Sequence, residues 1–158
     1  MTTGTMCTPS FSRDPQRLAR LKQIVTDDAM RSGLPIVAVY VHGSWGTRDE
    51  RPDSDLDMAV LTARSLTLEE HLDFVRHIEL ATGAAHQIDM ADISHANSVF
   101  AALVITNGDR IYSKGSEADR FEMKVLASYA RLNEERKGIL EDIIKRGTVY
   151  NFEPRVIA

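Results

Sequence analysis

The residues of this chain best suited to chemistry fall in three short segments. Gly43-Ser44 closes one apolar run, and after a spacer of ten residues come Asp55 and Asp57, with Leu56 between them. Further on, the run Gln87-Ile-Asp89-Met-Ala-Asp92 offers another carboxylate bracketed by apolar residues. Residues two apart in a strand share a face, so Asp55 and Asp57 project together while Leu56 and Met58 project to the other side. Two carboxylates held so close repel, and each stays ionised at a cost unless a counter-charge sits between them. Mg²⁺ meets that need, because it binds carboxylate and phosphate oxygens together. A glycine lets backbone approach a phosphate closely, and the N–H groups of such a turn form an anion-binding nest. The Ser44 hydroxyl adds a donor. The three segments therefore predict a phosphate cradle beside a divalent-metal site.

Period-two alternation decides which downstream carboxylate joins them. Asp89 lies between Ile88 and Met90 on one face, and Asp92 points the other way. Asp89 is thus the expected third carboxylate, able to take a proton from an attacking hydroxyl and to help hold an ion. Ser94 is expected to cap the helix that follows, and Asp92 to help begin it.

Elements able to position these groups can be read from local signals. Asp14-Pro15 is an N-cap followed by proline at the first helical position, and Leu18, Leu21, Val25 and Ala29 keep helical spacing until Ser32-Gly33. Residues 35–42 form a short β-branched run that reads as a buried strand, and 56–61 as a second. Thr67 caps a helix with Leu68, Leu72, Val75 and Ile78 facing inward and Thr82-Gly83 closing it. Residues 86–93 are the third expected strand. Asn107-Gly108-Asp109 makes a turn before a short strand at 110–112, and 117–146 reads as one long helix or two kinked near Gly138. Phe121, Val125, Leu132, Ile139 and Ile143 give that segment a broken apolar stripe. The expected fold is α/β (α+β): a small mixed, twisted sheet with helices mainly on one side and a long C-terminal helix.

The 158 residues suffice for one domain with a real core. Hydrophobic residues make up 43% and charged residues 27%, as in ordinary globular proteins. A net charge of -4 argues against a nucleic-acid-binding field over the whole molecule, although Arg48, Arg51 and Arg64 cluster around the Gly-Ser segment in sequence. Cys7 is the single cysteine, so no intramolecular disulfide can form, which fits a cytoplasmic location. The first residues lack the apolar core of a signal peptide, and no apolar run is long enough to cross a bilayer. We expect a flexible leader at 1–12, a catalytic domain at 13–150 and a tail at 151–158.

The pattern Gly43-Ser44-x10-Asp55-x-Asp57 resembles the signature of the DNA polymerase β-like nucleotidyltransferases. With the run Arg51-Pro-Asp-Ser-Asp-Leu-Asp57 and the later Asp89 segment, residues 15–150 are similar to the minimal nucleotidyltransferases of the MntA type, antitoxins paired with HEPN-domain ribonuclease toxins. The resemblance implies that Gly43 and Ser44 bind the triphosphate of ATP. It also implies that Asp55 and Asp57 hold two Mg²⁺ ions, with Asp89 as further ligand and base. By the same resemblance, the chain transfers AMP from ATP to a tyrosine hydroxyl of its HEPN toxin partner and so silences it. Two positions depart from the family pattern: Arg48 stands where glycine is common, and His42 where an aromatic or apolar residue is usual. Chain length favours a protein acceptor, since a small one calls for an added domain or a dimer. Two alternatives stay open: transfer to a small hydroxyl compound of the aminoglycoside type, or a non-catalytic antitoxin that blocks its partner by binding.

Other residues carry two readings each. Arg48 either contacts the triphosphate or is a solvated loop charge. Trp45 either covers a bound base or anchors its loop. Ser54 reads as the end of a turn. His71, His77, His86 and His95 lack zinc-ligand spacing and read as structural or surface residues. Glu134-Glu-Arg-Lys137 is a solvated helix face, and Leu126, Tyr129 and Ile144 either complete the core or leave apolar surface for a partner.

Overall fold

A computed structural model describes residues 12–83 and 87–146. Cys7, His86, the leader before residue 12 and the tail at 151–158 lie outside the described residues. The elements run α1 (Pro15–Ser32), β1 (Ile36–His42), β2 (Leu56–Thr62), α2 (Leu68–Thr82), β3 (Ile88–Asp92), α3 (Ser98–Asn107), β4 (Asp109–Ser113) and α4 (Glu117–Arg146). Asp14 caps α1 as its sequence indicates, its side chain accepting from the Gln16 and Arg17 N–H groups, and Gly33 ends the helix in the left-handed conformation. Thr67 and Glu70 form a reciprocal capping box at the start of α2.

The sheet is mixed, in the order β3-β2-β1-β4, with β1 antiparallel to both β2 and β4 and β2 parallel to β3. Helices cover both faces, not mainly one. On one face α1 and α2 pack Leu21, Val25, Phe74 and Ile78 against Val39, Val41, Met58 and Val60. On the other, α3 and α4 pack Val104 and Ala118 against Tyr40, Ala59 and Leu61. The central strand β1 is consequently buried from Ile36 through Val41, which explains its unbroken apolar composition.

Two local expectations are corrected, and one open alternative is decided. In α2, Leu68 and Leu72 are exposed, and the core side is Phe74, Val75 and Ile78. Leu72 and Phe74 lie about 200° apart around a helix, so one face cannot bury both. The cap of α3 is Asn97, whose Oδ1 accepts from the Phe100 N–H (2.9 Å), not Ser94. Ser94 instead ties the exit of β3 to the end of β2, accepting from the Thr62 N–H (3.0 Å), while Asp92 accepts from the Ser94 N–H (2.8 Å). Finally, α4 is one continuous helix through Gly138. Phe121, Val125 and Tyr129 pack on α3, while Leu126, Ile139, Leu140 and Ile144 are exposed.

Candidate active site

The chemistry-bearing segments meet at one end of the sheet, on the face covered by α3 and α4. In the antiparallel β1–β2 ladder His42 stands opposite Asp57, and in the parallel β2–β3 ladder Asp57 stands beside Asp89. Leu56 and Met58 bury themselves under α1 and α2, so Asp57 and Asp89 share the opposite face. Asp55 lies one residue ahead of β2 and is exposed, at the lip of the site and not within the strand. Asp92 sits at the far end of β3, with Thr62 and Ser94 as partners, and of the two carboxylates it is Asp89 that lies beside Asp57.

Gly43 makes the turn out of β1 with φ +68°, a conformation that costs little only for glycine. A Cβ built there would stand 2.1 Å from Asp57 Oδ2, so the Asp57 carboxylate rests directly against the glycine backbone. Ser44 Oγ lies 3.2 Å from Ser54 Oγ, and Ser54 Oγ accepts from the Arg51 N–H (2.8 Å). Ser54 therefore both closes the turn before Asp55 and reaches back to Ser44. Ser44, Asp49, Arg51, Asp53, Ser54 and Asp55 line a shallow cleft at this mouth.

Burial pushes the Asp57 carboxyl above its ordinary pKa. His42 and Arg13 oppose that shift, and the charges of Asp89 and Asp55 add to it. Burial also lowers the His42 pKa, against the charges of Asp57 and Asp89, which raise it. The site is short of a cation. Among the described residues, no three histidine, cysteine or acidic side chains converge into a ready cage for a metal. The donor set nevertheless fits Mg²⁺ shared with a triphosphate: hard oxygens, crowded negative charge, and a backbone turn open to phosphate.

The arginines sort differently from their sequence clustering. Arg51 lines the cleft, Arg48 is exposed on the loop next to Asp49, and Arg64 lies beyond the far end of β2, paired with Glu70. Trp45 anchors its loop: it is buried in the core beneath α1, with the Arg17 guanidinium 4.6 Å above its ring. Two residues not singled out from the sequence, Arg13 and Asp109, meet under the Gly-Ser turn. Arg13 Nε donates to Asp109 Oδ2 (2.8 Å), and its guanidinium also donates to the carbonyls of Val41, Gly43 and Trp45. Neither carried a readable signal, because an arginine before a helix cap and an aspartate after Asn-Gly are both ordinary.

This fold and this arrangement of glycine turn and carboxylates are those of a nucleotidyltransferase. The family model for polymerase β-type nucleotidyltransferases matches residues 26–117, more than half of the chain, and the chain belongs to that family. It is similar to the protein adenylyltransferase MntA of Shewanella oneidensis, 26% identical over 116 residues that cover 73% of this chain and 82% of the relative. Among solved structures, a toxin–antitoxin complex with AMP-PNP superposes with a TM-score of 0.61 at 23% identity, over 78% of this chain and 98% of the other. A complex of tri-AMPylated Shewanella oneidensis HEPN toxin with MNT antitoxin gives 0.56 at 24% identity, over 82% and 98%. The structural likenesses establish the fold.

Proposed function

We propose that this chain is a Mg²⁺-dependent ATP:protein adenylyltransferase that moves AMP onto a tyrosine hydroxyl of a cognate HEPN ribonuclease toxin, acting as its antitoxin in the cytoplasm. The observation that carries the proposal is the seating of Asp57 against the Cβ-less turn of Gly43, with Asp89 beside it in register. That contact supports a metal-holding role for Asp57 beside a phosphate-holding role for the Gly43 turn. The likeness to the Shewanella oneidensis adenylyltransferase MntA supports AMP as the group moved. A mouth edged by exposed residues, among them Arg51, Asp53 and Asp55, supports an acceptor presented on another protein's surface.

In this reading Gly43 and Ser44 hold the β- and γ-phosphates, and Arg51 at the rim neutralises part of their charge. Arg48, exposed on the same loop next to Asp49, is the second candidate for the triphosphate. Asp55 and Asp57, with Asp89, would hold two Mg²⁺ ions, whose charge lowers the cost of bringing an anionic triphosphate and a nucleophile together. The tyrosine oxygen forms a bond to the α-phosphorus as the bond from that phosphorus to the bridging oxygen breaks. Pyrophosphate leaves in line with the attack. Asp89, the most exposed of the aligned pair on the strands, accepts the phenolic proton.

The test is incubation of the chain with its partner, Mg²⁺ and ATP labelled at the α-phosphate. We expect label on a partner tyrosine with the wild type and none with Asp57→Asn, accompanied by loss of ribonuclease silencing. Silencing by Asp57→Asn at full strength without label would instead make the chain a steric antitoxin.

A further inference from the structure

Arg13 is buried, with its side chain 1% exposed, in a place where a cation must find partners or cost several kcal/mol. It finds four, and three are backbone carbonyls at alternate positions along the exit of β1: Val41 (3.4 Å), Gly43 (3.1 Å) and Trp45. The fourth is Asp109 Oδ2 at 2.8 Å, on the first residue of β4, which pairs with Val41 in the ladder. The N-terminus of α1 reinforces this grip. The Asp14 N–H donates to the Gly46 carbonyl (2.7 Å), and Arg17 makes a two-pronged pair with Glu50, which in turn accepts from the Gly46 N–H (3.2 Å). The loop that carries Gly43 and Ser44 is therefore clamped from beneath by a residue thirty positions earlier in the chain.

The direction of the clamp matters for chemistry. In a trans peptide the carbonyl and the following N–H point opposite ways. Holding the Gly43 carbonyl on the Arg13 guanidinium therefore turns the Ser44 N–H away from it, out of the protein's interior. An anion-binding turn needs just such outward N–H groups. Only a planar guanidinium, with five donors in a fixed fork, serves several carbonyls and a carboxylate at once; an ammonium is a point donor.

We propose that Arg13, held by Asp109, is a positioning residue that sets the phosphate-binding conformation of the Gly43-Ser44 turn, acting on nucleotide binding without touching the nucleotide. This rests on the nucleotidyltransferase reading above. Three variants test it: Arg13→Lys, Arg13→Ala and Asp109→Asn. Their melting temperatures are measured first, followed by Mg²⁺-dependent affinity for an ATP analogue with a methylene bridge between its α- and β-phosphates, by calorimetry. AMP transfer is then followed as a function of ATP concentration.

For Arg13→Lys we expect a folded protein with ATP KM raised about tenfold, kcat lowered by less than about threefold, and analogue affinity falling in step with KM. Asp109→Asn should move KM in the same direction by a smaller factor, since it loosens the guanidinium without removing it. Arg13→Ala adds a buried gap; if it fails to fold, the other two variants carry the result. Analogue affinity and ATP KM within twofold of wild type in both folded variants would overturn the proposal, whatever the change in melting temperature. A wild type that binds no analogue would overturn the nucleotide site itself, a distinct outcome. A fall in kcat alone at unchanged KM would also refute the role, because it would put Arg13 in the chemical step.

Discussion

Replacing Gly43 by alanine separates folding from chemistry. At φ +68° an alanine costs about 1–2 kcal/mol in backbone strain. Its Cβ would also stand 2.1 Å from Asp57 Oδ2 and 3.0 Å from Asp57 Cγ. Neither contact is with backbone, so the Asp57 side chain can swing clear at little cost in stability. To do so its Oδ2 must retreat by about an ångström or more to reach an ordinary contact distance. A displacement of that size at a reacting centre costs about a hundredfold in rate. Gly33 supplies the control: it has φ +66°, and a Cβ there meets nothing within 4 Å. Gly33→Ala thus reports the strain alone. We expect the two variants to lose similar stability in urea unfolding, within about 1 kcal/mol of each other, while only Gly43→Ala loses AMP transfer, by about a hundredfold. The assay is initial-rate transfer of labelled AMP to the partner at saturating ATP and Mg²⁺. Transfer by folded Gly43→Ala within about threefold of wild type would refute the claim that Asp57 acts from its place against the turn.

Gly108 meets backbone where Gly43 meets a side chain. A Cβ there would stand 2.4 Å from the Val104 carbonyl oxygen and 2.8 Å from that of Val41. Gly108→Ala should therefore destabilise by about 2–3 kcal/mol, the upper range of overpacking, read as a lower urea midpoint at unchanged slope; a loss below about 0.5 kcal/mol would contradict the close approach of α3 to β1. Glu70 gives a pH signature. Its hydrogen bonds from Arg64, with further help from the Thr67 N–H, hold its pKa down from 4.5 to about 2. A depressed carboxyl stabilises fully above its unfolded pKa and loses that contribution as pH falls through the folded one, so the stability gap between wild type and Glu70→Gln should shrink between pH 4.5 and about 2. An equal gap in thermal melts at pH 7 and pH 2 would refute the assignment.

The parts of the fold legible in the sequence were those written in local chemistry. Asp14-Pro15, Thr67 and Ser32-Gly33 announce helix ends because a cap needs a particular side chain or a glycine at a particular place. Alternation picked Asp89 over Asp92 because a strand's faces are set by geometry alone. Misreadings occurred where burial depends on a distant partner. Leu68 with Leu72 and Phe74 with Ile78 keep the same four-residue helical spacing, and only the packing against α1 and the sheet decides between them. The one-sided layering was a misreading of a signal that was present, since six consecutive apolar residues in β1 leave no solvent face. Arg48, Arg51 and Arg64 look alike in sequence, yet β2 carries Arg64 to the opposite end of the sheet from Arg51.

The site's charge balance explains why the loop should be built on a buried arginine. Asp55 and Asp89 act electrostatically on Asp57, Asp49 and Asp53 line a cleft with Asp55, and a bare triphosphate approaching these carboxylates would be repelled. A cation placed openly among those carboxylates would pair with them and occupy the position a metal ion needs. Arg13 escapes that competition because it lies beneath the turn, with its donors committed to carbonyls and to Asp109. Its charge still reaches Asp57, where it favours the ionised carboxylate against burial and the neighbouring anions. The arrangement brings positive charge near Asp57 without an ion pair to it among the described residues, which in the proposed reading leaves the Asp57 oxygens for an ion shared with the nucleotide. That role accounts for a buried cation under an acidic site better than stability does. A buried charge of this kind contributes little net stability over an apolar side chain of similar volume.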